Sequence, residues 1–205
     1  MRIGILGGNF NPVHHAHLFI ADQIQQLLNL DEVQLMPENE PPHVDTKTTI
    51  SAKHRVEMLR LALQDYPKLT LNLSEIKRGG KSYTYDTMAK LTAEHPENEY
   101  FFIIGGDMVD YLEKWYRIDD LMQMVQFVAV RRDHTVLTAP KYPVQMMDLP
   151  LLNISSSYIR ESLQANHRPN FLLPAEVLAY IDHYGLYRSF QEKIDLCYLS
   201  VSRFL

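Results

Sequence analysis

Residues 2–23 read RIGILGGNFNPVHHAHLFIADQ. A short apolar run (2–6) stops at Gly7-Gly8, and Leu18, Ala21, Ile24, Leu27 and Leu28 then recur at helical spacing. Strand, glycine turn and helix in that order open a βαβ unit, and residues 32–36 (EVQLM) supply its second strand. Between strand and helix stand three histidines, His14, His15 and His17, a choice that core packing does not make.

The alternation continues outward from this unit. Ser51 is placed to cap a helix carrying Val56, Leu59 and Leu63 on one face, and a third strand is expected at 69–73. Gly79-Gly80 and the polar KSYTYDT (81–87) lead into a helix ending near His95, and YFFII (100–104) has the continuous apolar character of a strand buried on both faces. Further strands are expected at 127–130 and 151–154, with Ser155, Ser156 and Ser157 capping a helix that runs past Arg160 to about Leu163. Pro174 and Gly185 frame a last helix over 175–184. The pattern predicts a Rossmann-like, doubly wound α/β fold: a mostly parallel sheet, helices on both faces, and a C-terminal helical segment. Segments 37–50 and 131–150 lack a clear period and are expected as mobile loops.

With 205 residues the chain is long enough for one full core; 46% hydrophobic and 22% charged residues are values of a globular protein. The formal net charge of -5 disfavours nucleic acid as a partner, since sequence-independent binding to a polyanion draws on a basic surface. The lone Cys197 excludes an intrachain disulfide, and no apolar run approaches the roughly 20 residues of a membrane span, so a cytoplasmic setting without membrane attachment is expected.

In an open parallel sheet, ligands bind beyond the carboxyl ends of the strands. Four segments with unusual chemistry fall there: 7–17, 81–87, GGDM (105–108) and SSSYIR (155–160). Glycines before a helix N-terminus suit an anion, and His14 and His17, three apart, share the first helical turn. The stretch has neither the Gly-Lys-Ser/Thr ending of a P-loop nor a G-x-G-x-x-G fingerprint. Spacing alone also allows a bis-histidine metal site, and Ser155–Ser157 alone allow a plain helix cap.

Together the motifs carry a resemblance. GGNFNPVHHAHL resembles the G-G-T-F-D-P-x-H-x-G-H signature of the nucleotidyltransferase superfamily, and ISSSYIR, about 140 residues later, resembles its I-S-S-T-x-I-R signature. PENEPPH, HRVEMLRLA, SYTYDT, FFIIGGDMVDYLEKWY and YIDHYGLY are similar to blocks of the bacterial nicotinate mononucleotide adenylyltransferases, so the resemblance spans 1–188 as one nucleotidyltransferase domain. Residues 189–205 extend beyond it; their apolar Ile194, Leu196, Leu199, Val201, Phe204 and Leu205 suggest contact with the domain or with a second subunit in a homo-oligomer.

The resemblance implies adenylyl transfer from ATP to nicotinate mononucleotide, releasing pyrophosphate and forming the deamido precursor of NAD. It implies His14, His17 and Arg160 as catalytic groups, and Gly7, Gly8, Asn9, Phe10, Gly105, Asp107, Ile154, Ser155 and Ser156 as ATP contacts. Tyr83, Thr84, Tyr85 and Trp115 would hold the acceptor, with Trp115 stacking on its ring. Mg²⁺ would be held mainly through the ATP phosphates, without a protein metal site. Asn9, Asn11 and Ala16 replace the Thr, Asp and Gly of the first signature. Val44 stands where a lysine usually follows P-P-H, and Lys47 is the basic residue expected to take over its contact; Arg131-Arg132-Asp133 replaces the usual R-P-G. The rival readings are an adenylyltransferase preferring nicotinamide mononucleotide or phosphopantetheine, a nucleotide-binding regulator without turnover, and a metal hydrolase built on the histidines.

Overall fold

The computed structural model describes residues 1–40, 49–131, 140–150 and 152–188. Six parallel strands form one sheet in the order β3-β2-β1-β4-β5-β6. The strands are β1 (Arg2–Gly8), β2 (Glu32–Pro37), β3 (Leu69–Leu71), β4 (Glu99–Gly105), β5 (Gln126–Arg131) and β6 (Val144–Asp148). The helices are α1 (His15–Leu27), α2 (Ala52–Leu63), α3 (Ser74–Arg78), α4 (Thr84–Glu94), α5 (Ile118–Leu121), α6 (Ser156–Gln164) and α7 (Ala175–His183), and a 3-10 helix, Gly106–Lys114, follows β4. This is the doubly wound arrangement expected, with chain direction reversing its progress across the sheet between β1 and β4.

Both faces of the sheet are covered, which explains why the central strands read as unbroken apolar runs. Successive β4 side chains point to opposite faces. Phe101 and Ile103 pack with Leu18 and Ile24 of α1, Met58 and Leu59 of α2, Leu163 of α6 and Ile181 of α7. Phe102 and Ile104 pack on the other side with Met88 of α4, Leu112 of the 3-10 helix and Leu121 of α5.

Three expectations need correction. The sixth strand is Val144–Asp148, inside the segment read as loop, while 152–154 form no strand. β6 lies at the sheet edge and none of its residues is fully buried, so it lacks the apolar signature of an inner strand. β3 ends at Leu71, and α3, α5 and the 3-10 helix, too short or too tight for a 3.6-residue period, carry no clear sequence signal. Gly7 and Gly8 do not make the turn: they continue β1, and the positive φ of 48° falls on Phe10, before a cis Asn11–Pro12 bond. Gly8 instead makes room for Phe10, whose Cζ would lie 3.3 Å from a Cβ there.

Buried polar struts fix the loop between β1 and α1. Arg55 of α2, 1% exposed, donates to three carbonyls from three segments: Asn9 (2.9 Å), Asn39 (3.4 Å) and Ile50 (3.4 Å). Tyr187, beyond α7, donates its hydroxyl to Asn11 Oδ1 at 2.8 Å. Burial pushes the Arg55 guanidinium below its usual range and Glu38 opposes that shift, while burial raises the Tyr187 hydroxyl well above its usual range. Two changes test this framework by urea unfolding. Phe101→Ala, which empties a core site, should cost about 3–5 kcal/mol. Arg55→Leu should cost about 3 kcal/mol by stranding buried carbonyls, and a loss below about 1 kcal/mol would show that Arg55 is no strut.

Candidate functional site

The C-terminal ends of β1 and β4 diverge around a cleft of about 450 Å³. Gly7 of β1, His17 of α1, Gly105 of β4, Tyr83 and Thr84 at the start of α4, and Trp115 after the 3-10 helix all line it. Segments far apart in the sequence are thus brought to one crevice, at the place the topology dictates.

His14 and His17 form its first element. The His14 backbone N–H donates to His17 Nδ1 at 3.2 Å, and the two rings stack with centroids 3.7 Å apart. Because Nδ1 of His17 accepts, the neutral ring carries its proton on Nε2, a donor suited to a phosphate oxygen. Phe10 packs edge-on against the other side of His17, 4.9 Å between centroids, which restricts the ring further. His14 itself is 4% exposed and stacks on His17. His15 turns away to a separate groove beside Tyr66 and Phe171.

The start of α6 lies against the loop before α1 and is not among the residues that line the cleft. Ser155 is its N-cap, with Oγ accepting from the Tyr158 N–H at 3.2 Å. Ser156 Oγ donates to the Pro12 carbonyl at 2.8 Å, and Arg160 Nη1 donates to the Asn11 carbonyl at 2.7 Å. Arg160 Nη2 donates to Ser157 Oγ at 3.2 Å, which sets the plane of the guanidinium. The GGNFNP loop and the SSSYIR turn are therefore bonded directly to each other. Ile154 packs on the core just before the cap.

After β4, Asp107 lies exposed in the first turn of the 3-10 helix, which Gly105 caps. A Cβ on Gly105 would meet the Asp107 carboxylate in its present position, so that carboxylate lies close over the Gly105 backbone. Trp115 combines both roles its position allows: its ring meets Phe102 and Phe127 edge-on at 5.9 Å, and it also lines the cleft. Tyr83 and Tyr85 both pack on Tyr116, and Arg117 covers Tyr85 at 4.1 Å. Tyr85 does not line the cleft; it buttresses the residues that do.

Lys47, Val44, Arg132, Asp133 and the 189–205 extension lie outside the described residues. Sequence reasoning missed Glu38 and Glu75, which also line the cleft. Glu75 is 2% exposed and accepts from Thr87 Oγ1 at 3.0 Å, and Arg78 Nη1 donates to that same Oγ1 at 2.6 Å. Burial raises the Glu75 carboxyl, and the hydroxyls of Ser82 and Thr87 work against that rise. Burial first, and then Glu75, push Glu38 up to about 7, against the pull of Arg55. A charged residue on a helix reads as a solvated one unless it shares the apolar stripe. Arg55 does so, lying three and four residues before Met58 and Leu59, and that signal was available.

Comparison with known proteins agrees with this geometry. The cytidylyltransferase-like family model matches residues 5–162. A probable nicotinate-nucleotide adenylyltransferase of Lactococcus lactis is 57% identical over 187 residues, covering 91% of this chain and 95% of that protein. One from Streptococcus mutans is also 57% identical over 187 residues, covering 91% of this chain and 89% of its own length. Plasmodium falciparum nicotinic acid mononucleotide adenylyltransferase shares the fold at 23% identity. Its complex with NaAD superposes with a TM-score of 0.77, covering 91% of this chain and 97% of that one. Its complex with APC gives 0.76, covering 91% and 96%. With its two signature segments bonded together beside one cleft and its sequence matched over nine-tenths of its length, the chain belongs to the nicotinate-nucleotide adenylyltransferases of the cytidylyltransferase-like family.

Proposed function

We propose that the chain joins ATP to nicotinate mononucleotide in this cleft, the triphosphate lying between α1 and α6 and the acceptor between α4 and Trp115. The observation that carries the reading is the bonded junction of the two signatures, Ser156 to Pro12 and Arg160 to Asn11, which sets the start of α6 beside the start of α1, whose His17 lines the cleft. Helix N-termini present N–H groups and partial positive charge to an anion.

In the reaction, a phosphate oxygen of the acceptor attacks the α-phosphorus of ATP. The new P–O bond forms as the bond from that phosphorus to the bridging oxygen of pyrophosphate breaks. The protein supplies no nucleophile; it aligns the two reactants and stabilises the charge that shifts onto the leaving group. His17, its ring fixed between His14 and Phe10, donates from Nε2 toward the triphosphate. Arg160 is held beside the same loop, and its guanidinium has further N–H donors for phosphate oxygens. The backbone from Gly7 to Phe10 and the hydroxyls of Ser155 and Ser156 complete that side, with Ile154 setting the approach to α6.

The Asp107 carboxylate suits the paired hydroxyls of a ribose, and Gly105 leaves room for it. Thr84 and Tyr85 offer backbone N–H groups at the first turn of α4 to the acceptor's carboxylate. Tyr83 and Trp115 supply the flat apolar walls that a pyridine ring needs. Lys47 is proposed as the basic contribution from the loop after β2.

Mg²⁺, when bound, would add charge neutralisation at the phosphates. Among the described residues no three His, Cys, Asp or Glu side chains converge on a metal position. Its ligands would then be mainly phosphate oxygens and water, and every step above belongs to the chain's own groups. The residues 1–188 form the catalytic unit in this reading. The single cysteine supports a cytoplasmic setting, and the apolar extension supports contact with a second subunit.

Two measurements test the proposal. A pyrophosphate-release assay with ATP should give a kcat/KM for nicotinate mononucleotide at least about tenfold above that for nicotinamide mononucleotide or phosphopantetheine. Equal turnover of the amide would contradict the acceptor assignment. His17→Ala should lower kcat by about 10²–10³ while ATP still binds; an unchanged kcat would remove His17 from the reaction.

A further inference from the structure

The cleft contains two acidic residues for which the reaction above has no use. Its occupants are anionic, bearing phosphates and a ring carboxylate, yet Glu38 and Glu75 both line it, together with Ser82, Tyr83 and Thr84. Two ionised carboxylates on the wall of a site for a carboxylate would work against binding.

Glu75 has a positioning task that explains its place. Thr87 donates to its Oε1, and Ser82, whose hydroxyl works against the rise of the Glu75 carboxyl, accepts the Asn39 N–H at 2.9 Å through its Oγ. Glu75 therefore holds Ser82 and Thr87, which bracket the Tyr83-Thr84-Tyr85 turn, and links that turn to the loop after β2. Among the described residues its Oε2 is buried without a hydrogen-bond partner.

Among the described residues Glu38 has no such task. Its backbone N–H bonds to the Gly8 carbonyl at 3.0 Å, which fixes the residue at the mouth of β2, and its side chain is left to the cleft. Among the described residues, the charged and titratable groups facing it are Glu75 of α3, Arg55 of α2, His17 of α1 and Tyr83 before α4. Arg55 is the cation among them; three of its N–H donors go to backbone carbonyls, and its charge pulls the Glu38 carboxyl down against burial and Glu75.

Building on the acceptor placement above, we propose that Glu38 is a specificity-determining residue: with its carboxyl protonated it admits a carboxylate-bearing ring beside Tyr83 and Thr84, and on ionising it repels that ring. Burial beside Glu75 puts this titration near neutral pH, since the Glu38 carboxyl is raised to about 7. Below that pH the acid is neutral and the acid acceptor is preferred. Above it the wall turns negative, and the advantage of the acid over the amide acceptor shrinks.

The test is the acceptor KM of the full chain from pH 6.5 to 8.5, with nicotinate and nicotinamide mononucleotides, in the native chain and in Glu38→Gln. In the native chain, KM for the acid should rise with pH by up to about 25-fold, the limit for one proton with a pKa of about 7 between pH 6.5 and 8.5. KM for the amide should change less than about twofold. Glu38→Gln, close in shape and uncharged throughout, should hold the acid KM at its low-pH value across the range, with unchanged ATP KM. A native pH dependence that is equal for both acceptors, or one that survives in Glu38→Gln, overturns the proposal. A native chain that makes no dinucleotide with either acceptor overturns the underlying reading instead, and the absence of product distinguishes that failure.

Discussion

The site depends on the junction between the start of α6 and the loop that follows β1. These segments are contributed by opposite ends of the chain, and two hydrogen bonds join them, Ser156 to Pro12 and Arg160 to Asn11, while Tyr187, beyond α7, adds a third bond to Asn11. Each donor is a side chain and each acceptor lies within two adjacent loop residues. Arg55 holds the neighbouring Asn9 from beneath. The loop has little regular structure of its own, and with Phe10 at a φ of 48° it is held in a backbone conformation that a phenylalanine does not choose. The surrounding bonds select that conformation, and the conformation sets His17 against Phe10 and His14.

The fold makes this junction possible because the sheet places β1 at its middle. α1 and α6 pack on the same face as α2 and α7, so the helix starts that matter arrive beside β1 from one side. The half of the cleft proposed for the acceptor is built from the other face, where α4, the 3-10 helix and Trp115 pack over Phe102 and Phe127. Two faces of one sheet thus supply two halves of one site, and the crevice between β1 and β4 joins them. Glu75, through Ser82 and Thr87, and Arg55, through Asn9 and Asn39, link those halves behind the cleft.

Much of this was legible in the residues, and the exceptions have physical causes. β1, α1 and β4 declared themselves because burial on one or both faces imposes a hydrophobic period. β6 did not, because an edge strand with exposed side chains needs no such period. The histidines stood out because they interrupt an apolar pattern; Arg55 was hidden because its charge masks its place on the buried stripe of α2. Glu38 and Glu75 could not be told from solvated acids, since their burial comes from segments distant in sequence. The direction of the glycine turn was misread for a related reason. Gly8 is small to accommodate Phe10, a tertiary requirement that looks the same in sequence as a conformational one.

The central claim is that the two signature segments act on one triphosphate as a single device. A double-mutant cycle on kcat/KM for ATP, using His17→Ala and Arg160→Ala separately and together, tests it most directly. If both groups hold the same phosphates, the double variant should lose less than the two single losses combined, by at least about 1 kcal/mol. Strict additivity would mean that the groups act independently, and would contradict the account.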